Sequence, residues 1–437
     1  MPAFNDYIEM RKPSAVREAQ IAFAKREDKD KIKVLNVSIG NVSLPMHPKM
    51  IERMETLRQK NSPFKDGVVE YTPITGYEET KNAFLNVLRA SDVNTKNLHV
   101  LVTNGGSEAM ELAIIATTGN FKGKEKPILL IDPTYTNYRG FANRTMRKTT
   151  SIQRSLNPDG SYSFPDKEEI EKVIKKHEPN AMVIIPYDNP AGHLYKEEEL
   201  IMLCELAVNY DMWIISDEAY RELYYVPKKS VSIWKIDDSI VKGIEGRRIS
   251  IETASKVWNA CGLRIGAIIT DNKKLVEKLE YEYSSNLCAN AIGQWIFGAL
   301  AHLSKEELKN WFEKQRKYYK DIIVSFTEEF KKQLPRVIVS APDASIYSVV
   351  DVRNLVNEKF DSNHFVLWCA SKGKVMFDGV ETTLLTTPLI GFYDKNLSNN
   401  PGRTQMRISH VRPKEEMLKV PKLFSLLLKE YKKEFNC

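Results

Sequence analysis

The sequence predicts an α/β fold: a large domain with a mainly parallel sheet between helices, and a smaller α+β domain beside it. Three observations carry this reading. Short apolar runs recur from about residue 97 to 270, with helix-like segments among them. Polar, glycine-containing motifs sit just after those runs. Beyond about residue 304 the texture changes to a long charged amphipathic stretch followed by shorter elements.

Taken in order, Pro13-Ser14-Ala15-Val16 opens an amphipathic segment to about Ala24, an expected N-terminal helix. The apolar runs are Leu98–Val102, Ile128–Ile131, Met182–Ile185, Trp213–Ile215, Ile249–Ile251 and Ala267–Ile269. Runs this short and rich in branched residues read as strands buried on both faces. Ser107–Ala116 and Lys196–Val208 read as helices among them. Lys305–Lys332 reads as one long helix. The expected division is a large domain over 49–304 and a small one built from 1–48 and 305–437.

The chain has 437 residues, 42% hydrophobic and 28% charged, the balance of a globular enzyme. Its net charge of +7 is spread among acidic neighbours, as in Lys25-Arg26-Glu27-Asp28. A nucleic-acid partner needs basic residues gathered on one face, so none is expected. No apolar run approaches the roughly 20 residues that span a bilayer, so no membrane partner is expected either. The five cysteines are scattered without a C-x-x-C pair, which argues against a disulfide framework or a zinc site. No signal peptide is visible in Met1-Pro2-Ala3-Phe4, and a cytoplasmic location is expected.

The sharpest motif is Thr253-Ala254-Ser255-Lys256, with Arg264 eight positions on beside Gly262 and Gly266. Small residues before a lysine let a ligand approach the backbone. An amine in a closed pocket is a nucleophile toward carbonyls, and a guanidinium fork fits a phosphate. Ser216-Asp217-Glu218-Ala219-Tyr220 follows a strand and offers a carboxylate and a phenol, though a helix cap reads the same way. Tyr187-Asp188-Asn189-Pro190-Ala191-Gly192 is a turn, by itself ordinary turn chemistry. Asn104-Gly105-Gly106-Ser107 opens a helix whose free N–H groups suit an anion. Arg407 lies in a strand-like run, where an exposed edge charge is the plain alternative.

With Tyr71-Thr72-Pro73-Ile74-Thr75-Gly76 and Asp132-Pro133-Thr134-Tyr135, these pieces resemble the class I/II aminotransferases, pyridoxal-phosphate enzymes of fold type I. The resemblance runs from about Leu35-Asn36-Val37-Ser38-Ile39-Gly40 to Arg407. It implies that Lys256 forms a Schiff base with pyridoxal 5′-phosphate and then shuttles a proton. It implies that Asp217 holds the pyridine nitrogen protonated, and that Tyr220 and Asn189 bond the ring oxygen. Tyr135 resembles the residue stacked on the ring. Gly105, Gly106, Ser107, Thr253, Ser255 and Arg264 resemble the phosphate cradle. Tyr71 resembles a tyrosine that reaches the phosphate of a neighbouring subunit, which implies a homodimer. Arg407 resembles the clamp on the substrate α-carboxylate, with Gly40 and Asn189 beside it. The implied activity is transfer of an amino group from an amino acid to a 2-oxo acid. A carbon–sulfur β-lyase, or other α-carbon chemistry, would use the same residues. No metal is expected.

Four places depart from the family pattern: Thr253 for Gly or Ser, Ala191 for Thr, Ala344-Ser345 for Gly-Gly, and an irregular polar stretch from Thr386 to Gln405. The cations that familiar dicarboxylate enzymes place near 281–290 or at position 107 are missing; here Ser107 stands, and no Lys or Arg lies between Lys278 and Lys305. Selectivity for aspartate by either device is therefore not expected; lysine or arginine of the irregular stretch could substitute, and the substrate side chain is not readable from the sequence.

Overall fold

The structure, a computed structural model, describes residues 2–227 and 230–437. At its centre is a seven-stranded sheet. In chain order the strands are β1 (His99–Thr103), β2 (Ile128–Asp132), β3 (Thr149–Gln153), β4 (Ala181–Ile184), β5 (Trp213–Asp217), β6 (Arg248–Thr253) and β7 (Gly266–Thr270). Across the sheet they run β1-β7-β6-β5-β4-β2-β3. Neighbours are parallel except at β7, which is antiparallel to both β1 and β6.

Both faces of this sheet are covered. Val100, Val102, Leu129, Ile131, Met182 and Ile184 enter one core, while Leu101, Ile128, Leu130, Ala181 and Val183 enter another on the opposite face. Side chains alternate along a strand, so two buried faces demand unbroken apolar runs. β3 is the strand that the apolar pattern omits. Thr149-Thr150-Ser151-Ile152-Gln153 pairs on one side only, with β2, and an edge strand needs less apolar surface.

The C-terminal half carries two smaller sheets. Tyr347–Asp351 and Gln405–Ser409 pair antiparallel, flanked by Ile338–Val339 and Thr387–Pro388. Lys33–Asn36 pairs parallel with Val380–Leu385, so the N-terminal segment is sewn onto this half. Helix Ala15–Ala24 begins after Ser14, as the sequence suggests. Helix Lys305–Gln333 starts at a capping box of Ser304 and Glu307. Its first turns bury Leu308, Trp311 and Phe312 against the large-sheet core. Its last turns bury Ile322, Phe326 and Phe330 in the C-terminal core. Among the described residues no helix is long and apolar enough to cross a membrane.

Candidate active site

Ligand sites in open α/β sheets form at the carboxyl edge of the strands. Here Asp217 ends β5, Thr253 ends β6 with Ser255 and Lys256 just beyond, and Gly105 follows β1. Tyr135 follows β2 and Asn189 follows β4. Because β7 runs backwards, its start lies at this same edge and delivers Arg264 there. The result is one cavity of about 720 Å³, lined by Gly40, Gly106, Ser107, Tyr135, Asn189, Asp217, Tyr220, Thr253, Ser255, Lys256, Arg264 and Arg407 among others.

On one side Gly105 caps helix Gly106–Thr117 with φ of 88°. A Cβ there would collide with the guanidinium of Arg264, whose Cζ would lie 2.8 Å away. Arg264 is itself held by the carbonyl of Cys261, at 2.9 Å from Nη1. The Thr253 and Ser255 hydroxyls are 2.8 Å apart, and Thr253 Oγ1 also accepts from the Ser255 N–H at 3.1 Å. Thr253 thus supplies a hydroxyl, as a serine would and a glycine would not. Ser107 is exposed at the first turn of the helix.

At the floor, Asp217 accepts from the Ala219 N–H at 3.2 Å and from the Tyr138 hydroxyl at 2.5 Å. Burial pushes its carboxyl above the usual range, and the Tyr138 bond opposes that. Lys256 Nζ donates to the Gly40 carbonyl at 2.5 Å. A Cβ on Gly40 would collide with Tyr347 Oη and stand 3.3 Å from Lys256 Nζ, so only glycine fits. Tyr220 and Tyr347 share a hydrogen bond of 2.9 Å. Burial pushes the Tyr220 phenol well up. Burial pushes Tyr347 up too, but the charges of Lys256 and Arg407 outweigh it and hold that phenol below its ordinary value.

Arg407 is 1% exposed, at the middle of a strand paired on both sides, not an edge charge. Its Nη1 donates to Asn189 Oδ1 and its Nη2 to the Ser38 carbonyl, each at 2.9 Å. Its Nε has no partner. Tyr347 and Phe392 flank the guanidinium, at 4.4 and 5.2 Å from their ring centres. Asn189 also reaches Tyr220 Oη, at 3.5 Å. Its turn is set by a buried ion pair, Arg154 to Asp188 at 2.8 Å.

Tyr71 stands apart from the other expected residues. It is 79% exposed and does not line the cavity of its own chain. The irregular 386–405 stretch does not bring the substitute cation that the sequence left open. Neither Lys395 nor Arg403 lines the cavity; instead Leu389, Phe392 and Tyr393 pack into an apolar cluster behind Arg407. Arginines from elsewhere, Arg17 and Arg412, line it instead.

Three features escape sequence reasoning. Tyr138 and Tyr347 look like ordinary core tyrosines until the fold aims them at Asp217 and Lys256. The third lies beneath the floor, where Arg221 pairs with Glu218 and Glu252 at 2.5 Å each. These residues neighbour Tyr220, Asp217 and Thr253, so the cluster clamps the ends of β5 and β6 together. Burial pushes the Glu252 carboxyl up to about 7 despite Arg221. The only available signal was a charge placed inside an apolar run.

A family model described as aminotransferase class I and II matches residues 32–379. The chain belongs to this family. An aspartate aminotransferase of Musicola paradisiaca is 24% identical over 323 residues, 72% of this chain and 74% of that protein. A 2-aminoadipate transaminase of Thermus thermophilus is 23% identical over 271 residues, 62% of this chain and 63% of that one. Among solved structures, the N-succinyldiaminopimelate aminotransferase of Mycobacterium tuberculosis superposes with a TM-score of 0.78 at 19% identity, covering 97% of this chain and all of that one. The Thermus thermophilus aspartate aminotransferase with maleate gives 0.77 at 18%, covering 98% and 100%. At these identities the likeness is one of fold. The family makes this chain a transaminase, and the carbon–sulfur lyase alternative finds no support among these aminotransferases.

Proposed function

We propose that this aminotransferase binds pyridoxal 5′-phosphate on Lys256 and moves an amino group between an amino acid and a 2-oxo acid. The observation that carries the reading is the convergence of Lys256, Asp217, Tyr220 and Arg407 in one cavity, with a buried Arg407 Nε left without a partner. The residues fit such a cofactor. A glycine-lined helix start beside Arg264 suits a phosphate, and the Asp217 carboxylate suits a protonated ring nitrogen.

Once bound, the cofactor would act as an electron sink for the substrate α-carbon. The chain's own groups do the rest. Gly105, Gly106, Ser107, Thr253, Ser255 and Arg264 hold the phosphate. Asp217 keeps a proton on the ring nitrogen, and Tyr138 holds Asp217 in place. Tyr220 and Asn189 bond the ring oxygen, while Tyr135 covers the ring face. Arg407 fixes the α-carboxylate in a planar fork and so orients the bond that breaks. Lys256 carries the proton away from the α-carbon, with Gly40 leaving room for its swing.

We also propose a homodimer in which Tyr71 serves the partner's phosphate. Its exposure is shared by nearby Val68 and Val69, apolar residues that a second subunit would cover. All five cysteines are free, which supports a cytoplasmic location.

The test is to mix the yellow holoprotein with each amino acid, without any oxo acid, and follow the cofactor absorbance. Stoichiometric conversion to the amine form, reversed by a 2-oxo acid, is expected. Release of ammonia with no need of an acceptor would overturn the reading.

A further inference from the structure

Five cationic side chains line the cavity, Arg17, Lys256, Arg264, Arg407 and Arg412, against a single carboxylate, Asp217. Among the described residues none of the four arginines forms an ion pair. The proposed function employs Lys256 and Arg264 for the cofactor and Arg407 for the α-carboxylate. Two guanidinium groups remain without an anion.

Both lie on the substrate side. Arg412 comes three residues after the strand that carries Arg407, and its Nε points to the Asn36 carbonyl at 3.4 Å. Arg407 is held by Ser38, two residues along the same stretch. Arg17 projects from helix Ala15–Ala24, and its Nη1 donates to Gln20 Oε1 at 3.2 Å. Val16, next to Arg17, packs against the cluster that holds Phe392, the ring that flanks Arg407, so this helix sits on the Arg407 side of the cavity. A cationic side chain entering here would meet like charge, and a neutral one would leave both guanidinium groups unmatched. An anionic side chain would satisfy them.

We infer that the substrate side chain ends in a carboxylate received by Arg412 and Arg17, so that acidic amino acids and their 2-oxo acids are the substrate class. This rests on the assignment of Arg407 to the α-carboxylate. It places the cation outside the 386–405 stretch, which the sequence had left open as its source.

The test is calorimetry on the holoprotein with ligands that cannot react. Succinate, glutarate and adipate are each compared with the monocarboxylate of equal length. The native protein should bind at least one dicarboxylate about ten-fold or more tighter than its monocarboxylate. Arg412→Gln should lower that ratio about ten-fold, and the more exposed Arg17→Gln about three-fold. Arg17→Lys should keep most of it. A native ratio near one at every length overturns the inference. So does a ratio that survives the double variant, and so does an equal loss for both ligand series, which marks a packing effect. Arg407→Lys separates the two readings. If it leaves every ligand's affinity unchanged, the α-carboxylate assignment fails, whatever Arg412 and Arg17 do.

Discussion

The two sides of the cavity are built differently. The proposed cofactor side hangs from the ends of strands of one sheet, and each of its motifs is a short contiguous run: Gly105 to Ser107, Asp217 to Tyr220, Thr253 to Lys256. The proposed substrate side is gathered from distant pieces: Arg17 on an N-terminal helix, Ser38 and Gly40 after a sewn-on strand, Tyr347 and Arg407 on paired strands of the C-terminal half. Backbone geometry sets the first side, and side-chain packing across elements sets the second. A cofactor that stays in place suits a cradle fixed by backbone geometry, whereas a substrate side chain is met by whichever elements close over it.

The largest expected effect lies on the cofactor side. Lys256→Ala should slow the amino-group half-reaction by about 10⁴-fold or more, because the proton carrier is lost. Rapid-mixing absorbance checks this, and a near-normal rate would erase the distinction between a chemical side and a gripping side.

Next comes Arg407→Lys. An ammonium cannot reproduce the planar fork, and Arg407 is fully buried. The loss in kcat/KM should be on the order of 2–5 kcal/mol and similar for unrelated amino acids. A loss confined to one substrate would mean that Arg407 serves the side chain, and the two sides would need redrawing.

A smaller effect separates the two regions by pH. His410 follows the Arg407 strand, with its Nε2 at 2.8 Å from Ser348 Oγ and its ring 4.7 Å from Phe326. Burial holds it down at about 3, from an ordinary 6.5. The unfolded chain takes up a proton below pH 6.5, whereas the folded chain resists until near 3. Stability present above 6.5 is therefore lost as pH falls, by roughly 2 kcal/mol between pH 6.5 and 5. Urea unfolding at both pH values should show a shallower loss in His410→Asn. Equal losses in both proteins would remove His410 as the acid-sensitive point of the substrate side.

The smallest is Tyr138→Phe, which takes one hydrogen bond from Asp217. We expect about a ten-fold slower half-reaction. That bond lowers the Asp217 value, so its loss raises it, and the acid limb of the kcat/KM profile should move to higher pH. An unmoved limb would make Tyr138 a packing residue only.

Six of the seven strands of the central sheet were legible in the sequence, because two-sided burial forces unbroken apolar runs. β3 was not, because an edge strand of Thr and Ser carries no such pattern. Strand ends place the polar residues that follow them, so Asp217, Lys256 and Gly105 stood out by position, although their proposed roles came only from the order of the motifs taken together. Tertiary structure alone decided the direction of β7, which returns Arg264 to the working edge. It decided that Tyr138 and Tyr347 face Asp217 and Lys256, rather than merely filling a core. It decided that Phe392 backs Arg407 while Arg17 and Arg412, not Lys395 or Arg403, line the cavity. The physical reason is range. A strand and the turn after it are specified by adjacent residues, whereas a guanidinium reaching the cavity from residue 17 is specified only by where a remote helix packs.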